Sequence, residues 1–257
     1  MSILYRTRLF FLFACLYNCC ISCKKISEID STTKHDSTLN AITNPIPLKV
    51  SSKLKTIVVV GSSTAAGYGA SSIDSSWVNR LNSQLLNSKK ARIINLGVGG
   101  FSTYNVMPTN FIPGPSRAYP AVNNNITQAL SYHPDMVIIN LPTNDIAYDY
   151  SDTEIMNNFK LMASLLDSSK VAYIITGTQP RNFSSLQTRK RLKTVDDELN
   201  AAFPNHVNDY LNQLSDDTWN IKPDFNSGDG VHVNNKGHKI IYQSFITFPL
   251  LLKLINL

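Results

Sequence analysis

"VVVGSSTAAGYGAS", residues 58 to 71, runs from three consecutive valines straight into a stretch of small residues that includes two adjacent serines. Val58, Val59 and Val60 are β-branched and alternate with no polar side chains, so they read as a strand covered on both faces, the habit of a parallel sheet. Gly61 and the small residues after it permit a sharp strand-to-helix turn. A serine on such a turn projects its hydroxyl over the end of the sheet, where attack on a substrate is sterically open, although the sequence does not fit the GxSxG elbow. The same serines could equally cap a helix, satisfying backbone N–H groups without any chemistry. The rest of the chain has to decide between cap and nucleophile, and between Ser62 and Ser63.

The strand pattern recurs downstream. Apolar runs "ARIINL" (91–96), "DMVIINL" (135–141) and "VAYIIT" (171–176) follow "TIVVV" (56–60), with a short fifth strand expected near His206 to Asp209. Amphipathic stretches separate them: Trp77, Leu81 and Leu85 form one 3.6-residue stripe, and Ile155, Phe159, Met162 and Leu166 another. Ser151 and Glu154 have capping-box spacing at the start of the latter. Residues 126–133 and 186–203 supply two more helices, and a last one is expected to begin near Asn235, bury Ile241 and Phe245, and stop near Pro249. Strands alternating with helices specify an α/β fold around a parallel sheet. A chain of 257 residues with 43% hydrophobic content buries one substantial core, so a single domain is expected.

In such a sheet, ligands bind beyond the carboxyl ends of the strands, and those ends are polar and glycine-rich in this chain. After the second strand, "NLGVGGFST" carries Gly97, Gly99 and Gly100, residues that let a backbone N–H approach a substrate oxygen, or that merely make a turn. After the third, "LPTND" puts Asn144 and Asp145 at the rim; an asparagine amide can donate to a transient anion, or simply form an Asx turn. Near the C-terminus, "SGDGVHVNNKGH" separates Asp229 from His232 by two residues, a spacing that lets the carboxylate hold one ring nitrogen and leaves the other to accept a proton. Each cluster is ambiguous alone, but all four fall where the sheet topology lets them converge.

This ordered set resembles the SGNH hydrolases, also called the GDSL esterase/lipase family, from about Leu54 to about Pro249. The first family block falls on Gly61, Ser62 and Ser63, which makes Ser63 the implied nucleophile and puts Ser62 where the family usually has Asp. The second-block glycine falls on Gly100. The third block, GxND, falls on "PTND" with Pro142 in place of glycine, and the DxxH block falls on Asp229 and His232. The resemblance implies a flavodoxin-like, three-layer α/β/α sandwich of about five parallel strands. It also implies a carboxylic ester hydrolase with catalytic Ser63, His232 and Asp229, and an oxyanion hole of the Ser63 and Gly100 N–H groups and the Asn144 amide. The expected substrate is an acetylated carbohydrate or a small acyl or lipid ester, and no cofactor is called for.

Two other readings of these residues remain open. One is a noncatalytic carbohydrate-binding module on the same fold. The other is a metal-dependent phosphoesterase using Asp145, Asp229, His232 and His238, for which neither HxH nor HExxH spacing is present. His238 reads better as a packing or hydrogen-bonding residue at a helix start, and His133 and His206 also read as structural. The loop 103–125 is expected to form one wall of the substrate pocket and "TQPRNF" (178–183) the other, with Arg181 lacking an assigned partner.

The N-terminus reads as an export signal. Arg6 and Arg8 precede an apolar stretch from Leu9 and small residues before Cys23, and this stretch is too short to span a membrane comfortably. The end "ISCKK" resembles a bacterial lipoprotein signal, with Ser22 fitting and Cys20 departing from the usual Leu; Cys23 would then carry the lipid and anchor the protein to the cell envelope. Ordinary cleavage would instead release a secreted or periplasmic enzyme. All four cysteines lie in this leader, so the exported domain forms no disulfide. Residues 24–53 are polar and aperiodic, a flexible tether, and His35 lies within them. Arg6 and Arg8 carry two of the formal +6 charges, and the remaining +4 is too modest to call for a nucleic-acid partner. The run Arg189, Lys190, Arg191 and Lys193, followed by Asp196, Asp197 and Glu198, reads as a solvated helix face.

Overall fold

The computed structural model describes residues 53–256. The leader with Cys23, and the tether up to residue 52 with His35, lie outside the described residues. In chain order the elements are β1 (Lys55–Gly61), α1 (Ser63–Ala66), α2 (Trp77–Asn87), β2 (Ala91–Asn95), α3 (Thr103–Val106), α4 (Ile126–Ser131), β3 (Met136–Asn140) and α5 (Thr143–Ala147). They continue with α6 (Asp152–Ser168), β4 (Ala172–Thr176), α7 (Leu186–Ala202), β5 (Val207–Asn208), α8 (Leu211–Leu214), α9 (Asn235–Ile246) and α10 (Pro249–Leu254). The five strands form one sheet in the order β2-β1-β3-β4-β5, every pairing parallel. This is the flavodoxin-like doubly wound order, and it matches the architecture expected from the sequence.

The uninterrupted apolar strands are explained by helices on both faces. Val58 and Val60 of β1 and Val137 and Ile139 of β3 pack with Phe159, Met162 and Leu166 of α6. Their neighbours Ile57, Val59, Met136 and Ile138 point the other way, into Trp77, Leu81 and Leu85 of α2 and Ile241 and Phe245 of α9. Successive strand side chains face opposite ways, so both parities must be apolar when both faces are covered. Trp77 and Phe245 stack with ring centroids 4.6 Å apart and planes 7° apart, joining α2 to α9. Truncating so buried an aromatic costs about 3–5 kcal/mol. Ser151 and Glu154 make the expected capping box at the start of α6.

The helix from Asn235 stops near Pro249 as expected: α9 ends at Ile246, and Pro249 opens a further helix from its first position, where a missing N–H costs nothing. Two sequence expectations need correction. The long loop after β2 contains a short helix, α3. Within the charged run of α7, Asp196 is buried rather than solvated and accepts the Thr178 N–H at 3.0 Å.

The chain passes outward from β1 to β2 and returns across β1 to β3, so the order reverses between β1 and β3. Loops diverge at such a switch point and leave a crevice beyond the strand ends. The loops after β1 and β3 carry Ser63 and Asn144.

Candidate active site

Gly61 ends β1 where it passes close to β3: a Cβ there would stand 2.6 Å from the Asn140 carbonyl oxygen. Only glycine lets the strand turn at that point without displacing its neighbour. Ser62 then takes the cap position of α1, but its hydroxyl caps nothing, and its N–H donates to the Asn140 carbonyl at 3.2 Å. Ser63 begins α1 with its side chain largely buried. Its Oγ lies 2.9 Å from His232 Nε2, and His232 Nδ1 lies 2.6 Å from Asp229 Oδ2. The three groups that DxxH and GSS brought forward are therefore in hydrogen-bonding sequence across a separation of 169 residues.

The turn between the short 3₁₀ helix Pro223–Phe225 and α9 holds Asp229 and His232. The Asn226 side chain accepts the N–H groups of Gly228 and Gly230, and the Asn234 side chain caps α9 just beyond. Asp229 Oδ1 accepts from Val231 N–H and His232 N–H, each at 2.8 Å, and from Ser227 Oγ at 2.9 Å. Partial burial pushes the Asp229 carboxyl upward, but the donors from His232, Val231 and Ser227 outweigh it and hold the group well below the usual carboxylate range. With a charged carboxylate at Nδ1, the ring proton sits on that side and Nε2 is left to accept from Ser63.

Gln179, after β4, is a positioning residue that the sequence did not single out. Its Oε1 accepts from Thr64 Oγ1, next to Ser63, and its Nε2 donates to the Val231 carbonyl, next to His232, at 3.0 Å. One side chain thus ties α1 to the Asp229–His232 turn. Its signal in the sequence was only its place at a strand end.

On the other side of Ser63, the Asn144 amide is fixed at both ends. Nδ2 donates to the Phe101 carbonyl at 3.0 Å, and Oδ1 accepts from Arg181 Nη1 at 3.4 Å. Gly100, one residue before Phe101, adopts φ +81°, a conformation that strains any L side chain, and its carbonyl accepts from Tyr148 Oη at 2.8 Å. The backbone N–H groups of Ser63 and Gly100 have no acceptor among the described residues. Ser63 and Asn144 line one cavity of about 20 Å³, large enough for one water molecule, together with Asn140, whose Oδ1 is buried without a hydrogen-bond partner.

Asp145 departs from its expected place at the rim. It is fully buried and accepts the Thr103 N–H on both oxygens at 3.0 Å, together with the Thr103 hydroxyl. Thr103 opens α3, three residues past Gly100, so Asp145 pins the glycine-bearing segment against the helix that carries Asn144. Burial pushes the Asp145 carboxyl up to about 7, against the lowering effect of the Thr103 donors.

The wall expected from residues 103–125 contributes nothing to the cavity beside Ser63, whereas the 178–183 segment contributes Gln179. Nor do Asp145, Asp229, His232 and His238 form a metal-holding set; among the described residues no group of three or more His, Cys, Asp or Glu could hold an ion. His238 is buried, with Nδ1 accepting from Trp77 N–H and Nε2 donating to the Tyr68 carbonyl, and burial pushes its imidazole down to about 4. It is the neutral packing residue the sequence indicated. His206 stacks on Tyr173 with centroids 4.2 Å apart.

A model of the GDSL-like lipase/acylhydrolase family matches residues 59–240, which contain all of these groups. The chain belongs to that family. Membership places it among the ester hydrolases. Its fold is that of the psychrotrophic esterase EstA from Pseudoalteromonas sp., at 16% identity and TM-score 0.58 over 79% of this chain and 100% of that one. A GDSL-like lipase from Bacteroides thetaiotaomicron superposes at 19% identity and TM-score 0.55, over 74% of this chain and 84% of that one. The acetyl xylan esterase AlAXEase does so at 13% identity and TM-score 0.56, over 75% and 98% of the two chains. No curated protein matches the sequence.

Proposed function

We propose that this GDSL-family hydrolase is a serine esterase that removes short acyl groups from small-molecule or carbohydrate alcohols through a covalent acyl-enzyme. The observation that carries the reading is the unbroken chain from Asp229 through His232 to Ser63, with links of 2.6 and 2.9 Å. Ser63 Oγ attacks the ester carbonyl carbon as its proton passes to His232 Nε2. The resulting oxyanion accepts from the N–H groups of Ser63 and Gly100 and from the Asn144 amide. His232 returns the proton to the departing alcohol oxygen as the C–O bond breaks. Water then gives a proton to the same nitrogen and attacks the acyl carbon, and His232 returns that proton to Ser63 Oγ as the acyl C–O bond breaks, releasing the carboxylic acid and free Ser63.

A short acyl group is favoured because the surface beside Ser63 is rich in polar groups, with Thr64, Thr143, Asn144 and Gln179 against only Leu141, Val231 and the Tyr210 ring as apolar side chains. A long hydrocarbon chain needs a continuous apolar surface to repay its desolvation. An organofluorophosphonate should label the wild type and not Ser63→Ala, and ester hydrolysis should fall steeply from acetyl to octanoyl. Labelling that survives Ser63→Ala, or a preference for octanoyl, would overturn the reading. A noncatalytic binding module would remain unlabelled, and a metal-dependent phosphoesterase would lose activity to a chelator.

We also propose that Cys23 is lipidated and holds the enzyme on the cell envelope. Mass spectrometry of the mature N-terminus tests this: a diacylglyceryl mass on Cys23 supports it, and an unmodified N-terminus refutes it.

A further inference from the structure

Arg181 is the strand-end residue that the sequence left without a partner; neighbouring Arg189 also lacks an acid partner among the described residues but spends its donors on the Phe183, Ser184 and Thr218 carbonyls, whereas the Arg181 side chain makes one hydrogen bond, to Asn144. Arg117 is held by Glu154, and Arg191 by Asp149 and Asp152. Arg181 makes no salt bridge among the described residues. One nitrogen reaches Asn144 Oδ1 at 3.4 Å, and its guanidinium carbon lies 5.0 Å from the centre of the Phe183 ring, which supports it from one side. A guanidinium carries five N–H donors in a planar fork suited to a carboxylate, phosphate or sulfate. An amide oxygen uses one of them and neutralises no charge.

Its position relative to the chemistry follows from two contacts. Through Asn144 it stands within about 9 Å of the carbonyl oxygen that the amide would polarise, given ordinary hydrogen-bond lengths. Asn182, the next residue, donates its N–H to the Gly230 carbonyl at 2.8 Å, two residues before His232. His232 is the group that must protonate the leaving alcohol, so the backbone that carries Arg181 is packed against the turn on the alcohol side of Ser63. An uncompensated cation there lowers the free energy of a substrate with negative charge close to its scissile bond, and does so more strongly where water is partly excluded.

We propose that Arg181 is a specificity-determining residue that docks an anionic group on the alcohol part of the ester. The substrate class is then a short-chain ester of an acidic alcohol, such as an O-acylated hydroxy acid or acidic sugar. This rests on the serine-esterase reading given above. Either alcohol presents the same chemistry, a carboxylate whose oxygens accept from the guanidinium fork.

The test compares kcat/KM for 4-acetoxybenzoate and its neutral counterpart 4-acetoxybenzamide, using the exported domain's full chain as wild type, Arg181→Gln and Arg181→Lys. Any loss transmitted through Asn144 slows both esters alike, so the anionic-to-neutral ratio isolates recognition of the charge. That ratio should fall about tenfold or more in Arg181→Gln, take an intermediate value in Arg181→Lys, and shrink in the wild type as salt rises from low to molar concentration. Ratios equal within twofold for wild type and Arg181→Gln overturn the inference and leave Arg181 as an orienting group for the Asn144 amide. A protein that a fluorophosphonate labels but that leaves 4-acetoxybenzoate intact overturns it as well. Absence of both labelling and turnover overturns the serine-esterase reading, and this inference with it.

Discussion

Asp229 and Asp145 are two carboxylates of one site with opposite surroundings. The Asp229 side chain is 48% exposed and sits on a tight turn, where its donors come from residues no more than three positions away. Asp145 is fully buried, and its donors come from Thr103, 42 residues earlier in the chain. The first environment favours the ion, and the second opposes it through burial. The difference follows from what each half of the site has to do. In the proposed mechanism the acid–base half needs a permanent negative charge to orient and stabilise an imidazolium, and Asp229 accordingly stays near water and collects donors locally. The oxyanion half needs no charge of its own, only a fixed distance between Asn144 and Gly100. There a buried acceptor serves as a clamp.

The largest expected effect breaks the charged half. Asp229→Asn should lower kcat about 10⁴-fold, because an amide at Nδ1 no longer selects the tautomer that leaves Nε2 free. Its thermal unfolding should stay close to wild type, since Oδ1 can go on accepting the local N–H groups. A variant that keeps a tenth of the activity would mean that position alone, not charge, matters at residue 229. Next in size is the uncharged half. Asn144→Ala should lose about 2.7–4 kcal/mol of transition-state stabilisation, a fall of roughly a hundredfold or more in kcat with KM little changed. A rise in KM at constant kcat would instead make Asn144 a ground-state binding group.

The two halves were also unequally legible in the sequence. DxxH was legible at short range, because Asp229 and His232 meet within a single turn and Gly230, at φ +71°, permits it. The sheet was readable for a similar reason: residues 57–60, 136–139 and 173–175 are apolar at both parities, which implies helices on both faces, while its flavodoxin-like order came from the family resemblance. What lay between distant segments could not be read. Asp145 follows Asn144 directly, yet it turns inward, because residue i+1 at the start of a helix points about 100° away from residue i, and its partner Thr103 has no local signature. Gln179, Arg181 and buried Asp196 share this property. Each is defined by a contact across more than ten residues of chain, which depends on how loops pack over the sheet and not on any spacing.

The smallest expected effect separates the two carboxylates by the sign of their linkage to pH. In the unfolded chain both titrate near 3.8, while in the folded protein Asp145 holds its proton up to about 7. Between about pH 4 and 7 the native state therefore binds the extra proton at Asp145, and the contribution of this residue to stability is full below that window and is lost as pH rises through it. Asp229 behaves in reverse: its folded carboxyl titrates lower than in the unfolded chain, so its contribution is present above about pH 4 and is lost on acidification. Glu154, held down to about 2 by Arg117 against its burial, reinforces that acid limb. Asp196, pushed up to about 7 by burial and by Asp209, adds to the Asp145 limb and keeps part of the slope when Asp145 is removed. Urea unfolding of wild type and Asp145→Asn at pH 4.5, 5.5, 6.5 and 7.5 reads the difference directly. The stability gap between the two proteins should move in the variant's favour as pH rises, by about 3 kcal/mol between pH 4.5 and 7.5. Because asparagine does not titrate, any fixed packing cost of the substitution shifts all four points equally. Parallel curves would mean that Asp145 stays ionised while buried, in which case the Thr103 donors outweigh burial and the two carboxylates of the site are electrostatically alike.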